Sequence, residues 1–263
     1  MHIFDRDMTL SQDGENRFTG TLSDSWLINN VQNGGYMMAF IAKAMLKLSN
    51  KRATPIITAN YILRCKPGPA EVRVEQFSST AQFDRLQASL FQEGKERIRS
   101  FGTFAAEKHD CTVERYESPP PDIAPRETCA AIPAIPNYSL MSNVDIRLDP
   151  ACAGWMKGAL SDRSEQKGWI NFRKERPHDI LSVLMIADAM PPAVMASRGM
   201  MAWVPTIELS VNIRNMPASS WLKFSLRTRF ITCGLVEEDG EVWDEAGNLV
   251  SISRQIAQFR TGS

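Results

Sequence analysis

The chain has 263 residues, 43% hydrophobic and 23% charged, which is typical of a soluble globular protein and allows two domains of about 120 residues. Lys plus Arg and Asp plus Glu both number 30, so the basic excess of a nucleic-acid-binding protein is absent. The N-terminus lacks the features of a signal peptide, and no apolar run approaches the roughly 20 residues of a spanning helix. We therefore expect a cytoplasmic protein with no nucleic-acid partner and no membrane insertion.

The first strong structural signal is a helix that is apolar on nearly every side. After Gly34-Gly35, almost every residue as far as Ala44 is apolar. Lys43 and Lys47, four residues apart, indicate one solvent-exposed edge near the end of the helix. A helix of this composition must be surrounded by protein. Period-two patterns and turn residues after it predict strands at 56–64, 71–77, 83–92 and 96–105.

A proline-rich stretch then interrupts the pattern. It begins at Pro119-Pro120-Pro121 and continues through Pro136, and such a composition favours an extended segment over a helix. We predict a linker at 116–140 between an N-terminal unit at 1–115 and a C-terminal unit at 141–263.

The second half repeats the first. A second apolar helix is predicted at 179–190, ended by Pro191-Pro192, and is followed by strands at 205–214, 221–230, 241–244 and 249–259. Arg64 and Pro67 recur 150 residues later as Arg214 and Pro217, and Gly94 and Ser100 recur 153 residues later as Gly247 and Ser253. The constant order and near-constant offset indicate a tandem repeat.

One architecture satisfies both halves. A single buried helix requires a curved antiparallel sheet around it, which is a hot-dog unit, and two such units in tandem make an α+β double hot-dog fold. We expect the two sheets to pair edge to edge into one continuous sheet, since this removes two exposed edges.

Asp188 is the most informative polar residue. It lies near the C-terminal end of the second buried helix, where burial penalises a carboxylate and the negative end of the helix dipole repels it. A carboxylate held against both costs is often a catalytic base. The alternative is a structural Asp at a helix edge, bonded to backbone or to an Arg such as Arg198.

Two further polar residues lie on predicted strands. Gln255 shares a face with Ser251, Ser253 and Ala257, which leaves room for a ligand, although a solvent-facing Gln is the alternative. Thr206 begins the strand after the second helix and is expected to share a face with Glu208, Ser210 and Asn212, with Ile207 opposite. Ordinary strand propensity is the alternative explanation for Thr206.

Gly34-Gly35 opens the first helix, where paired glycines allow a backbone or a ligand to approach closely. A tight turn is the alternative. The chain has no nucleotide-binding fingerprint, no G-x-S-x-G elbow and no C-x-x-C pair. Of the three histidines, His2 is terminal, His109 lies in a charged loop and His178 precedes the second helix. We therefore predict no metal and no cofactor, and any hydrolysis would use a carboxylate-activated water.

These motifs resemble the acyl-CoA thioesterase II family, particularly its shorter double hot-dog members. The helix Ile186-Ala187-Asp188-Ala189-Met190, the strand Pro205-Thr206-Ile207-Glu208 and the hairpin ending in Ser253-Arg254-Gln255 are similar to the family's catalytic segments, and Asn33-Gly34-Gly35-Tyr36 is similar to the start of its first helix. The resemblance implies that Asp188, Thr206 and Gln255 bind and activate the water that attacks a thioester. It also implies that Gly34, Gly35 and Tyr36 contact the substrate.

The first copy lacks this set, because Gly102 falls at the position of Gln255 and the first helix has no acidic residue. One active site per chain is expected, acting on acyl-CoA in fatty acid metabolism, with a backbone N–H such as that of Gly35 polarising the thioester carbonyl. Two alternatives are a hot-dog hydratase or dehydratase, which would need a histidine such as His178, and a non-catalytic acyl-CoA or lipid binder. By analogy with the fold we expect a homo-oligomer, a dimer.

Seven methionines could line a flexible acyl pocket or fill the core. They are Met37, Met38, Met185, Met190, Met195, Met200 and Met201.

Overall fold

The computed structural model describes residues 1–107, 114–200 and 202–261. The helices are α1 (Ile3–Asp7), α2 (Gly34–Leu48), α3 (Leu140–Asn143), α4 (Ile180–Ile186) and α5 (Met195–Arg198), with short 3₁₀ turns at Asp24–Trp26, Arg126–Thr128 and Ala153–Lys157. The strands of the first half are β1 (Leu10–Gln12), β2 (Arg17–Leu22), β3 (Leu27–Ile28), β4 (Val31–Gln32), β5 (Ala53–Tyr61), β6 (Gly68–Ser79), β7 (Phe83–Gln92) and β8 (Lys95–Ala105). Those of the second half are β9 (Ala130–Ala131), β10 (Val144–Leu148), β11 (Ser164–Phe172), β12 (Ala202–Trp203), β13 (Thr206–Ile213), β14 (Leu222–Thr228), β15 (Ile231–Thr232), β16 (Leu235–Asp244), β17 (Leu249–Gln258) and β18 (Arg260–Thr261).

Fourteen strands of the described chain form one antiparallel sheet. Its order is β1-β2-β6-β7-β8-β5-β13-β17-β16-β14-β11-β10-β9, with β15 added beside β16. The order β6-β7-β8-β5 in the first half is mirrored by β13-β17-β16-β14 in the second, which confirms the tandem repeat and the double hot-dog fold.

The two halves meet at β5 and β13, and this confirms the predicted edge-to-edge pairing. The two strands run antiparallel, with Ile57 opposite Val211 and both side chains fully buried. On the other face of the seam the Thr58 hydroxyl donates to the Ser210 hydroxyl over 2.9 Å. One hydrophobic core runs through both halves, so the seam is interior to the molecule.

Helix α2 has the predicted bounds at both ends. Asn33 caps its start, because the side-chain oxygen accepts from the backbone N–H of Tyr36 over 2.8 Å. The helix packs against α4 and against the sheet strands β5 to β8, and most of its residues are buried. The apolar composition around the whole helix is therefore explained by contacts on every side.

The second helix is shorter than predicted, and that prediction was wrong. Helix α4 covers Ile180–Ile186, and residues 187–190 form a turn. Asp179 caps the start by accepting from Ser182. Beyond Ile186 the chain turns so that Asp188 meets the start of α2, and Pro191 and Pro192 have no backbone N–H with which to resume the helix.

Several strands escaped the sequence analysis. The N-terminal strands β1 and β2 and the strands β9 to β11 extend the two ends of the sheet. The alternation along Val144–Leu148 was an available signal for β10. Strand β9 lies inside the stretch predicted as a linker, so the division into 1–115, 116–140 and 141–263 stays a prediction. In the described part of the chain no helix is long and apolar enough to cross a membrane.

Candidate active site

A cavity of about 730 Å³ opens between the start of α2, the turn after α4 and the strands β13, β16 and β17. Asp188, Thr206 and Gln255 all line it, although 67 residues separate Asp188 from Gln255 in the chain. The fold therefore brings the three predicted catalytic residues to one cavity. Residues of both halves form its walls, because Asn33, Gly34 and Tyr61 line it as well.

Asp188 belongs to the turn that follows α4, and its carboxylate is held by the start of α2. Its Oδ2 accepts from the backbone N–H of Gly35 over 2.8 Å and from the Asn33 side-chain amide over 3.1 Å. The same amide donates to the Asp188 backbone carbonyl over 2.7 Å. Asp188 also lines the cavity, where a ligand can meet it.

The electrostatics of Asp188 differ from the sequence expectation. The carboxylate lies past the end of its own helix and faces the N-terminus of the 15-residue α2, the positive end of that helix dipole. Burial raises the pKa of Asp188, and the Gly35 and Gly34 amides and the Asn33 side chain oppose this, with a resulting pKa of about 6. Asp188 is thus largely ionised at neutral pH and close to the range of an efficient general base.

The two glycines at the start of α2 are required by close packing. A methyl group on Gly34 would lie 2.8 Å from Oδ2 of Asp188 and 3.1 Å from the Tyr61 hydroxyl. On Gly35 it would lie 2.8 Å from the Met185 carbonyl oxygen. The close approach inferred from the paired glycines is therefore that of the Asp188 turn. Because the Gly35 N–H is bonded to Asp188, the prediction that it polarises a substrate carbonyl was wrong.

Tyr36 was predicted to contact substrate, but it does not line the cavity. Its ring is fully buried and stacks on Trp26, and its hydroxyl accepts from the Ser23 N–H over 3.1 Å. Tyr61 and Tyr138 line the cavity, and Tyr61, at the end of β5, donates to the Gly34 carbonyl over 2.8 Å. Burial and then the nearby Asp188 charge raise the pKa of Tyr61 well above its usual value, so it stays a neutral donor.

A β-bulge at the start of β13 orients Thr206. Thr206 lies opposite Ala257, but Glu208 lies opposite the adjacent Ile256, so Ile207 is an extra residue. The bulge shifts the alternation, and Thr206 shares the face of Leu209 instead of that of Glu208. The predicted grouping of Thr206 with Glu208, Ser210 and Asn212 was therefore wrong. Ile207 is 39% exposed instead of being buried with Leu209, and Glu208 is exposed and outside the cavity lining.

Gln255 lies on the inner face of β17, with Ser251, Ser253 and Ala257 as predicted. Its side chain is 6% exposed and has no hydrogen-bond partner among the described residues. In the first half the equivalent Gly102 faces Met45 of α2, whose sulfur would lie 2.6 Å from an added methyl group. The helix thus fills the space in the first half that is open beside Gln255 in the second.

Glu238 was missed by the sequence analysis. It lies on β16 directly opposite Gln255 and lines the same cavity. Its Oε2 accepts from the backbone N–H of Ala193. Burial raises the pKa of Glu238 to about 8, and the Asp188 charge contributes. The available signal was the alternation of Val236, Glu238, Gly240 and Val242 on one face, which the predicted strand at 241–244 began too late to include.

The rest of the cavity wall is mostly apolar. It includes side chains from α3 and the segment before it, from the 3₁₀ turn at Ala153–Lys157 and from α2, namely Met37, Ile132, Pro133, Ile135, Met141, Trp155 and Met156. Of the seven methionines singled out in the sequence, Met37, Met190, Met195 and Met200 line the cavity, Met38 and Met185 are core residues, and Met201 lies outside the described residues.

Neither a histidine nor a metal-binding cluster occurs in this cavity. None of the described residues that line it is a histidine. His178, which lies just before α4, hydrogen-bonds the Ser220 carbonyl. His109 lies outside the described residues. The described residues contain no group of three His, Cys, Asp or Glu side chains that could hold a metal ion.

Family models match both halves of the chain. Residues 22–105 match the acyl-CoA thioesterase N-terminal domain, and residues 121–259 match the acyl-CoA thioesterase C-terminal domain. The chain belongs to the acyl-CoA thioesterase family. It is therefore a thioester hydrolase, which confirms the resemblance inferred from the motifs.

Solved structures agree with this assignment. A Thermobifida fusca protein assigned as a thioesterase II is 27% identical, with a TM-score of 0.89 over 99% of this chain and 98% of that one. An Alicyclobacillus acidocaldarius hot-dog protein of unknown function, at 18% identity, has a TM-score of 0.90 over the full length of both chains. The acyl-CoA thioesterase II TesB2 from Mycobacterium marinum, at 14% identity and a TM-score of 0.78 over 99% of both chains, shares the fold.

Proposed function

We propose that this thioesterase hydrolyses acyl-CoA with a water molecule activated by Asp188. The observation that carries the proposal is the carboxylate itself. Its Oδ2 is fixed by the start of α2, the residue lines the cavity, and the pKa of about 6 leaves the carboxylate ionised at neutral pH. A fixed, ionised carboxylate at a cavity wall is suited to general-base catalysis.

The reaction follows from this arrangement. Asp188 accepts a proton from water while the water oxygen bonds to the thioester carbonyl carbon. The tetrahedral intermediate then collapses, the carbon–sulfur bond breaks, and the coenzyme A thiolate leaves and takes the proton from Asp188. Thr206 and Gln255 orient the water, because both line the cavity and neither side chain has a hydrogen-bond partner among the described residues.

The remainder of the cavity fits the two ends of the substrate. The apolar wall formed by Met37, Met141 and Trp155 would bind the acyl chain. Arg64 and Arg260 also line the cavity and are exposed, so they would bind the phosphates of coenzyme A.

A thioester of N-acetylcysteamine, which has no phosphates, should therefore show a higher KM than the coenzyme A thioester of the same acyl group.

Thiol release tests the proposal. We expect the protein to release free thiol from acyl-CoAs, and Asp188→Asn to lower kcat by about 10³-fold. Gln255→Ala is expected to lower kcat by about 10²-fold. Two matched controls should have wild-type activity. Asp145 forms an ion pair with Arg147 on β10, so Asp145→Asn is the control for Asp188→Asn. Gln87 on β7 donates to Glu75 on β6, so Gln87→Ala is the control for Gln255→Ala.

Each failure has a separate meaning. No thiol release by the wild type with any acyl chain would contradict hydrolysis of acyl-CoA, and binding without turnover would favour an acyl-CoA or lipid binder. Full activity in Asp188→Asn would refute the assignment of the base. The hydratase or dehydratase alternative would need a histidine, and His178 does not line the cavity.

A further inference from the structure

Glu238 is a second carboxyl group in the cavity that the proposed reaction does not use. It lies opposite Gln255 on the neighbouring strand, so the two side chains leave the same face of the sheet side by side. Both line the cavity that contains Asp188. Two carboxyl groups in one apolar cavity cannot both be ionised without mutual repulsion.

The two carboxyl oxygens of Glu238 differ in their hydrogen bonding. Oε2 accepts from the N–H of Ala193, just after the Pro191-Pro192 pair that ends the Asp188 turn. No described residue bonds Oε1. With Oε2 engaged as an acceptor, the proton of a neutral Glu238 is carried on Oε1 and is offered to a ligand.

Thioester hydrolysis needs such a donor. The carbonyl oxygen becomes an oxyanion in the tetrahedral intermediate, and a preorganised donor stabilises it. The Gly35 N–H does not supply this bond, because it is given to Asp188. Tyr61 donates to the Gly34 carbonyl. Among the described side chains of the cavity, Thr206, Gln255 and a neutral Glu238 have uncommitted donors, and the proposed reaction uses Thr206 and Gln255 to orient the water.

We infer that Glu238, as a neutral carboxylic acid, donates a hydrogen bond from Oε1 to the thioester carbonyl oxygen as it becomes an oxyanion. The inference rests on the proposed function. Glu238 keeps its proton throughout, so the bonds that form and break in hydrolysis are unchanged. Asp188 is then the base and Glu238 the donor, two carboxyl groups whose environments separate their roles.

Burial, with the surrounding charges, keeps Glu238 neutral. After burial, the causes that raise its pKa to about 8 are the carboxylates of Asp188, in the turn after α4, and of Glu237 and Asp239, on its own strand. The Ala193 amide opposes them. The cations of the cavity wall are Arg64 and Arg260, both exposed, and Tyr61 is neutral. We therefore expect the wild-type rate to fall as the pH rises past about 8, where Glu238 ionises.

Two substitutions of Glu238 test this role in the full-length protein. Glu238→Leu removes the donor and should lower kcat by about 10²-fold with a smaller change in KM. Glu238→Gln keeps the acceptor for Ala193 and an N–H donor in place of the O–H, so it should retain most of the wild-type kcat. It should also lose the fall in rate above about pH 8. Glu241→Gln, on the opposite face of β16, is the matched control.

The outcomes are distinct. If Glu238→Gln is as slow as Glu238→Leu, the ionised form is required and the inference is overturned. Wild-type rates in Glu238→Leu, or an unchanged alkaline fall in Glu238→Gln, overturn it as well. If Glu238→Leu does not fold, the pH profile of Glu238→Gln decides alone. If the wild-type protein releases no thiol, the proposed function itself is refuted. If the wild-type protein is active and the substitutions of Glu238 leave its activity unchanged, only this inference is refuted.

Discussion

Asp188 illustrates how a residue's chemistry depends on groups distant in the sequence. Its carboxylate is destabilised by burial and stabilised by Gly35 and Asn33, which precede it by more than 150 residues. These donors bond the charged form, so they lower the pKa that burial alone would produce. The resulting pKa of about 6 is a balance between the two effects, and the Asn33 amide is the part that a single substitution can remove.

The pH dependence of activity should therefore respond to Asn33. Asp188 acts as a base only when ionised, so kcat/KM should fall as the pH drops below about 6. Asn33→Ala removes a donor to the carboxylate, which raises the pKa and moves the acid limb to higher pH. Asn33→Asp keeps the helix cap but adds a like charge, so it should move the limb further. The measurement is kcat/KM against pH, and an identical acid limb in all three proteins would contradict this account.

At the scale of elements, the site depends on the contact between the start of α2 and the turn that follows α4. The N-terminus of α2 abuts the turn after α4, and the absence of side chains at Gly34 and Gly35 allows the approach. The bulge in β13 has a comparable effect, because one extra residue turns Thr206 toward the face that carries Gln255. Together they bring Asp188, Thr206 and Gln255 to one cavity.

Gly35→Ala tests this contact. Its added methyl group would lie 2.8 Å from the Met185 carbonyl and 2.9 Å from Cβ of Asp188, both parts of the α4 end that cannot rotate away. We expect the free energy of unfolding to fall by about 1–3 kcal/mol and kcat to fall with it, because Asp188 is displaced. Lys43→Ala, on the less buried edge of α2, is the control. Urea unfolding and thiol release measure the two effects, and an unchanged kcat would show that the contact is not needed for catalysis.

At the scale of the whole molecule, the two halves form one structure. The sheet is continuous across β5 and β13, and a single hydrophobic core includes α2 from the first half and α4 from the second. The candidate active site has the same property, since the proposed base, Asp188, comes from the second half and its hydrogen-bond donors from the first. Stability and activity should therefore be lost together.

A pair of adjacent residues at the seam tests this cooperativity. Ile57 is fully buried opposite Val211, whereas Ile56 is 40% exposed on the other face of β5. Ile57→Asp places a charge in the core and should lower the free energy of unfolding by more than about 3 kcal/mol, while Ile56→Asp should cost less than about 1 kcal/mol. Denaturant unfolding followed by circular dichroism and by activity should show one coincident transition. Two separate transitions would mean that the halves unfold independently.

The sequence by itself determined the repeat, the bounds of α2, the hot-dog architecture and the identity of three polar residues in the cavity. These follow from local periodicity and from the order of motifs, both of which are present in the chain before it folds. The length of α4, the face of Thr206, the burial of Tyr36 and the presence of Glu238 in the cavity were decided only by the tertiary structure. Each depends on a contact that local periodicity does not show: the α2 start with the Asp188 turn, the bulged register of β13 on β17, the stacking of Tyr36 on Trp26, and the pairing of β16 with β17. The alternation along β16 gives the face of Glu238 but not its neighbours, because the groups that set each residue's environment lie elsewhere in the chain.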